Sequence, residues 1–139
     1  MGDRSVGIGV GKILPFPKTK EEKDMYLALE SAFRNTDDAL NSLLRPSLAT
    51  KTANYTATDT DYTILGNATG GAITITLPKA ATVNGKVYVI KKVDASGNAV
   101  TIDGDGAETI DGSATQALSS QYDKAVIQSD GSNWHIIGE

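Results

Sequence analysis

Acidic residues clustered in residues 101–112, TIDGDGAETIDG, are the first candidates for chemistry in this sequence. Acids that alternate with glycines begin many calcium loops, and this stretch holds Asp103, Asp105, Glu108 and Asp111. The calcium pattern then fails, because Ala107 holds the third ligand position and Ala114 stands where the twelfth-position glutamate belongs. Asp and Gly also suit tight turns, since Asp caps local N–H groups and Gly accepts a positive φ. We therefore predict strand ends leading into turns, with no metal site.

Catalytic residue types are sparse. His135 is the only histidine, and a lone imidazole beside apolar neighbours is more often structural than a general base. Neither a GxSxG nor an HExxH pattern occurs. The paired carboxylates are those of the predicted turns, whereas glycosidase chemistry needs two held across a cleft at a defined separation. The sequence predicts neither an enzyme nor a cofactor.

Trp134 is the candidate contact for a glycan. It follows the turn residues SDGSN at 129–133, which we expect to join strands at 125–127 and 134–136 in a hairpin. A tryptophan there is either a core anchor or the platform of a sugar site, and the sequence leaves both interpretations open.

Composition and charge exclude several protein classes. The 139 residues include no cysteine, so a disulfide framework and thiolate metal sites are excluded. The net charge of −4 arises within residues 51–139, whereas a nucleic-acid surface needs a basic face to neutralise phosphates. No apolar run approaches the roughly 20 residues that span a bilayer, and the N-terminus is too glycine-rich for a secretion signal. We expect a soluble protein with no nucleic-acid partner and no membrane insertion.

Residues 1–18 form the first of three segments and are predicted to be an extended arm. Their GxGxGK pattern departs from a phosphate loop, because a phosphate loop has four residues between its glycines, and Ile13 stands where Ser or Thr should follow the lysine. Pro15 and Pro17 disfavour a helix. An apolar arm without a core of its own is expected to anchor on a partner protein through Val6, Ile8, Val10, Ile13, Leu14 and Phe16.

Residues 19–46 form the second segment, a helix with clear ends. Thr19 and Glu22 fit a capping box, and Pro46 disfavours a helical conformation at Arg45. The predicted helix has about 25 residues and is roughly 38 Å long.

The apolar face of this helix follows a heptad spacing and is wider than a two-stranded seam requires. We expect it to form an oligomerising stalk of identical helices, although Thr36 and Ala39 make the seam weak. The alternative is a single helix packed on its own β domain. The predicted oligomerisation residues are Met25, Leu29, Ala32, Phe33, Thr36, Leu40 and Leu43.

Residues 52–139 form the third segment and are predicted to be β throughout. Six short β-branched or aromatic runs alternate with turn dipeptides such as Asn84-Gly85 and Asp130-Gly131. Since no connection is long enough for a crossover helix, we expect mainly antiparallel pairing. The fold class is therefore mainly β with one N-terminal helix, in which a coiled-coil-like stalk precedes a small antiparallel sandwich or barrel-like module. The six predicted strands are 62–65, 73–77, 87–90, 100–102, 125–127 and 134–137.

Residues 55–139 resemble a module common in bacteriophage tail fibres and related virion proteins. The pieces that carry the resemblance are Asp61-Tyr62-Thr63-Ile64, Ile75-Thr76-Leu77-Pro78, Ile90-Lys91-Lys92-Val93, Thr109-Ile110-Asp111-Gly112 and Ser119-Ser120-Gln121-Tyr122-Asp123. Members of this group are structural or adhesive pieces of trimeric fibres. The resemblance brings no catalytic or metal-binding residues with it.

The resemblance implies an order of parts that this sequence shares. A short N-terminal segment docks on the particle, a helical bundle forms a stalk, and the β module points outward. The expected partners are two further copies of the chain, another virion protein (capsid, portal, collar or tail) bound by residues 1–18, and a host-surface glycan. The expected location is the virion, assembled in the bacterial cytoplasm, and head, collar and tail positions stay open. The alternative function is a receptor-binding or carbohydrate-binding adhesin module.

Overall fold

A computed structural model describes residues 19–139, together with their side chains except at positions 42 and 43. The predicted arm at residues 1–18, with its six anchoring residues, and the side chain of Leu43 lie outside this description. The chain divides into a helical unit that ends at Arg45 and a β unit, Pro46–Glu139.

The helical unit contains α1, Lys20–Leu44. Its N-terminus is the predicted capping box: Glu22 N donates to Thr19 Oγ1 at 3.1 Å, and Thr19 N donates to Glu22 Oε2 at 3.0 Å. The helix ends two residues before Pro46, as the restriction on the residue preceding a proline requires. The prediction of one N-terminal helix is confirmed.

The β unit has nine strands in two sheets. One sheet has the order β1-β3-β5-β8-β9, and the other has the order β2-β4-β6-β7. The strands are β1 Leu48–Lys51, β2 Tyr55–Thr56, β3 Thr63–Gly66, β4 Ile73–Thr76, β5 Val87–Lys92, β6 Val100–Asp103, β7 Thr115–Leu118, β8 Lys124–Ser129 and β9 Trp134–Gly138.

The chain passes back and forth between the sheets, and this produces parallel pairing. β1, β3 and β5 are parallel neighbours in one sheet, and β2, β4 and β6 are parallel neighbours in the other. Only the β5–β8, β6–β7 and β8–β9 pairs are antiparallel. The prediction of mainly antiparallel pairing was therefore wrong. Parallel pairs need long connections, and here a strand of the opposite sheet supplies each one, as β4 does within residues 67–86 between β3 and β5.

Buried apolar residues of both sheets form one core cluster. Alternate residues are buried along the central strands, as expected when one face of a strand is covered. The sheets approach closely at Gly66, where a Cβ atom would lie 2.7 Å from the side chain of Val100. The buried apolar residues of the described chain are Ala57, Ile64, Ala68, Ile73, Ile75, Leu77, Ala80, Tyr88, Ile90, Val100, Ile102, Ile110, Leu118, Ala125, Ile127 and Trp134.

Three strands have no counterpart among the predicted runs. β1 precedes residue 52, where the predicted β segment begins, and β2 has only two residues. β7 reads Thr-Gln-Ala-Leu and lacks a β-branched run. All three strands lie at sheet edges, where one neighbouring strand and partial burial place weak demands on side-chain type.

Candidate functional site

Trp134 is fully buried. Its ring lies 5.6 Å from the ring of Tyr88, centroid to centroid, at an interplanar angle of 46°. Its Nε1 donates to Glu108 Oε2 at 3.2 Å, so the one polar atom of the indole is satisfied inside the fold. The structure thus places Trp134, the first residue of β9, in the core, where its side chain anchors the start of that strand. A buried ring has no face open to stack on a sugar, so the glycan contact predicted at this residue lacks an accessible surface.

The acids of residues 101–112 shape loops. Asp111 and Gly112 both have positive φ, 47° and 82°, and Ile110 pairs with Ser113 across them. This is the geometry of a two-residue hairpin turn, as predicted for this dipeptide. Asp103 ends β6, and Asp105 begins a second turn in which its carbonyl accepts a bond from Glu108 N at 3.0 Å.

Glu108 is the acid of this stretch that turns inward. Its two carboxylate oxygens accept bonds from Ala80 N, each at 3.0 Å, in addition to the bond from Trp134. It therefore links the β6–β7 loop, the short 3-10 helix Ala80–Thr82 and the start of β9. This role is a structural one, and sequence spacing did not reveal it because the partners lie 26 and 28 residues away.

The fold places the imidazole of His135 beside two carboxylates, those of Asp130 and Asp111. Its Nε2 lies 2.8 Å from Asp130 Oδ2 and its Nδ1 lies 3.4 Å from Asp111 Oδ1, and all three side chains are about half exposed. The hydrogen bond with Asp130 is the main cause of a raised His135 pKa. Backbone N–H donation from Asn133 comes first among the causes that lower the Asp130 pKa to about 2, and the His135 bond follows it.

His135, Asp130 and Asp111 form a network of charged groups on the surface. Within the described residues, the polar contacts of the imidazole are these two carboxylates. The carboxylates also receive backbone donors: Ser132 N and Asn133 N bond to Asp130, and Ile136 N bonds to Asp111. The arrangement fastens the β8–β9 turn and the Asp111-Gly112 turn to β9.

A buried ion pair was missed by the sequence reasoning. Lys92 at the end of β5 is fully buried, and its Nζ lies 2.6 Å from Asp94 Oδ1. Asp94 also accepts bonds from Ser96 Oγ, Ser96 N and Ala68 N. The Lys92 bond is the largest cause of an Asp94 pKa held well below its usual range. Such a network fixes the β5–β6 connection, because each buried charge needs its partner.

The six predicted oligomerisation residues whose side chains the structure describes lie on the exposed surface of α1. Met25 is 69% exposed and Phe33 64%, and Leu29 and Leu40 are each at least half exposed. Ala32 and Thr36 are exposed as well. Charged residues pair along other positions, with Lys20 to Asp24 at 2.8 Å and Glu30 to Arg34 at 3.9 Å. The helix thus carries an unpaired apolar stripe and separate ion pairs, the pattern of a helix that associates through one face.

Neither a metal-binding cluster nor a membrane-spanning helix is found in the described residues. Residues 19–139 contain no group of three His, Asp or Glu side chains arranged to hold a metal ion. No helix among them is long and apolar enough to cross a membrane. Neither a protein-family model nor a curated protein matches the chain.

Proposed function

We propose that this chain is a structural fibre or appendage protein of a bacteriophage virion, anchored by residues 1–18 and projecting its β unit outward. The resemblance of residues 55–139 to tail-fibre modules supports this function. The observation that carries the proposal is the contrast between the units: the β unit has a core of its own, whereas α1 exposes its apolar stripe. Such a helix is expected in a protein whose globular domain is carried on an oligomeric stalk.

The stalk is a short bundle of identical helices. Burial of the apolar stripe between helices would stabilise their association by about 25 cal/mol for each Å² of apolar surface removed from water. A contiguous exposed apolar surface is also typical of an interaction site. Thr36, the polar residue of the stripe, donates its hydroxyl to Ala32 O at 2.9 Å. The seam can therefore close over Thr36 without burying an unsatisfied donor. Closed cyclic symmetry suits identical chains, and the fibre resemblance favours three of them.

The β unit is the head of the fibre, a small sandwich-like module in which the two sheets enclose one core. Its turns are tied by internal bonds, as at Glu108, His135 and Asp94. A particle appendage needs this kind of stable exterior whether or not it binds a host receptor.

The second candidate function is a receptor-binding or carbohydrate-binding adhesin module. With Trp134 buried, this function requires another aromatic side chain at the surface. Tyr122 meets that condition, because its side chain is 62% exposed on the β unit.

The virion location is tested on purified phage particles. Antibodies raised against residues 46–139 should label intact particles in electron micrographs, and peptides of the chain should be found in the particles by mass spectrometry. Particles that lack the chain, made by a host that expresses it, would contradict the proposal.

Residues 1–18 are tested by deletion. A chain without residues 2–17 should keep the far-ultraviolet circular dichroism of the parent and yet be missing from particles, because an apolar arm with no core of its own functions only on its partner. The full-length chain supplied from the same plasmid is the control. Normal incorporation of the shortened chain would assign the anchoring role to another segment.

A further inference from the structure

Tyr122 stands in a backbone conformation that tyrosine rarely adopts. Its φ is 73°, and it is the third residue of a turn in which Asp123 N donates to Ser120 O at 3.1 Å. Turns with a positive φ at the third position select Gly or Asn, because a side-chain Cβ atom is crowded there. A strained backbone that persists in a fold points to a side chain whose position is needed.

The turn is held firmly. Asp123 Oδ2 accepts bonds from Ser119 N at 2.9 Å and Ser120 N at 2.7 Å. Tyr122 N donates to Lys92 O at 2.9 Å, which ties the turn to the end of β5. Lys91 Nζ lies 5.1 Å from the centroid of the Tyr122 ring, within the range of a cation–π contact. The ring is thus oriented before any ligand arrives, yet it stays exposed.

An open cleft of about 400 Å³ lies beside this ring. Its volume is in the range of small-ligand sites, roughly 300–1,000 Å³. The cleft runs along the edge strand β7 and the start of β8, and its polar groups are the amide of Gln116, the ammonium of Lys124 and the carboxylates of Asp123 and Glu139. Charges of both signs line it, so it offers no strong field to a charged ligand.

We propose that this cleft binds a neutral hexose unit of a surface polysaccharide, with Tyr122 as its platform. The electron-rich face of an aromatic ring attracts the C–H groups on one side of a pyranose. Sugar hydroxyls both donate and accept, so they match an amide, an ammonium and carboxylates placed together. An extended peptide on β7 would instead need pockets for its alternate side chains, and the cleft is lined mainly by polar groups. The site deepens the host-attachment part of the proposed function and rests on the β unit pointing outward.

Saturation-transfer NMR on the full chain tests the cleft. The probes are the methyl glycosides of glucose, galactose, mannose and N-acetylglucosamine, added singly at millimolar concentration. At least one should receive saturation, and Tyr122→Asn should weaken its affinity about tenfold, since stacking on an aromatic side chain contributes on the order of one tenfold step in affinity. Tyr122→Phe keeps the ring and should keep binding, and Tyr62→Asn, outside the cleft, is the matched control.

Stability separates a binding role from a packing role for Tyr122. Asparagine tolerates a positive φ, so Tyr122→Asn should keep the thermal midpoint of the parent while it loses binding. A lowered midpoint with unchanged binding would make Tyr122 a packing residue and overturn the proposal. The absence of saturation transfer to all four glycosides would also overturn the proposal. A Thr-Val repeat peptide, added as a further probe for an extended chain on β7, would overturn it as well if it bound and the glycosides did not. These results do not depend on whether the chain is found in particles, so failure here is distinct from failure of the virion proposal.

Discussion

Truncation of Trp134 to alanine should destabilise the β unit strongly. The side chain is fully buried against Tyr88, and its Nε1 bonds to Glu108. Removing a buried aromatic side chain costs about 3–5 kcal/mol, which is a large share of the roughly 5–15 kcal/mol that stabilises an ordinary domain. For a domain of this size each kcal/mol lowers the thermal midpoint by roughly 4–8 °C, so the midpoint should fall by at least about 12 °C.

Urea unfolding followed by far-ultraviolet circular dichroism measures this loss. Tryptophan fluorescence cannot follow the variant, because Trp134 is the only tryptophan. Trp134→Phe fills part of the space and loses the bond to Glu108, so its midpoint should lie between those of the parent and Trp134→Ala. Exposed Tyr122→Asn is the control for aromatic loss without a cavity. A Trp134→Ala variant within about 1 kcal/mol of the parent, well below the usual cost, would refute the burial of this ring and reopen a sugar platform there.

Two further predictions concern polar side chains. Thr36→Val should strengthen association of the helices by about 1 kcal/mol per chain, because it replaces the hydroxyl by a methyl group that gains from burial in the seam. Ser31→Val, off the stripe, should leave association unchanged, and an unchanged assembly of Thr36→Val on sedimentation would show that Thr36 lies outside the seam. The carboxylates of Asp130 and Asp111 raise the pKa of His135, so its stabilising charge is present in full below the unfolded pKa of about 6.5 and is lost as pH rises through the folded value. The thermal midpoint of the parent should therefore exceed that of His135→Asn most below about pH 6.5, and this difference should shrink as the pH rises above that value. A difference that grows with pH would contradict this.

Local sequence pattern predicted the helix and six of the nine strands of the β unit, but it did not predict which strands are neighbours. The six β-branched runs are all strands, the capping box at Thr19 and Glu22 is formed, and Asp111-Gly112 is a turn. Alternation along a strand specifies which face is buried, but it does not specify the neighbouring strand. The parallel register that sets Ile64 opposite Ile90 depends on a chain path through the second sheet. The absence of a connection long enough for a crossover helix favoured antiparallel pairing, but four of the seven strand pairs are parallel.

The candidate sites depended on contacts between residues distant in sequence. Trp134 is buried because Tyr88 and Glu108 meet it, and nothing in SDGSNW encodes that. Lys92 can be buried because Asp94 pairs with its ammonium group, and the sequence analysis predicted no such pair. The Ser119-to-Asp123 stretch was singled out in the sequence through its resemblance to fibre modules. The positive φ of Tyr122 could not be read from the sequence, because tyrosine is not a residue type that marks such turns.

The mass of the full chain in solution tests the central claim, which is that α1 joins identical chains into a fibre stalk. Multi-angle light scattering at micromolar concentration should give three times the single-chain mass of 14.6 kDa. Phe33→Asp, on the apolar stripe, should reduce the mass to that of one chain, while Asn35→Asp, off the stripe, should leave it unchanged. A parent protein with the mass of a single chain would contradict the stalk and favour a helix that packs on its own β unit.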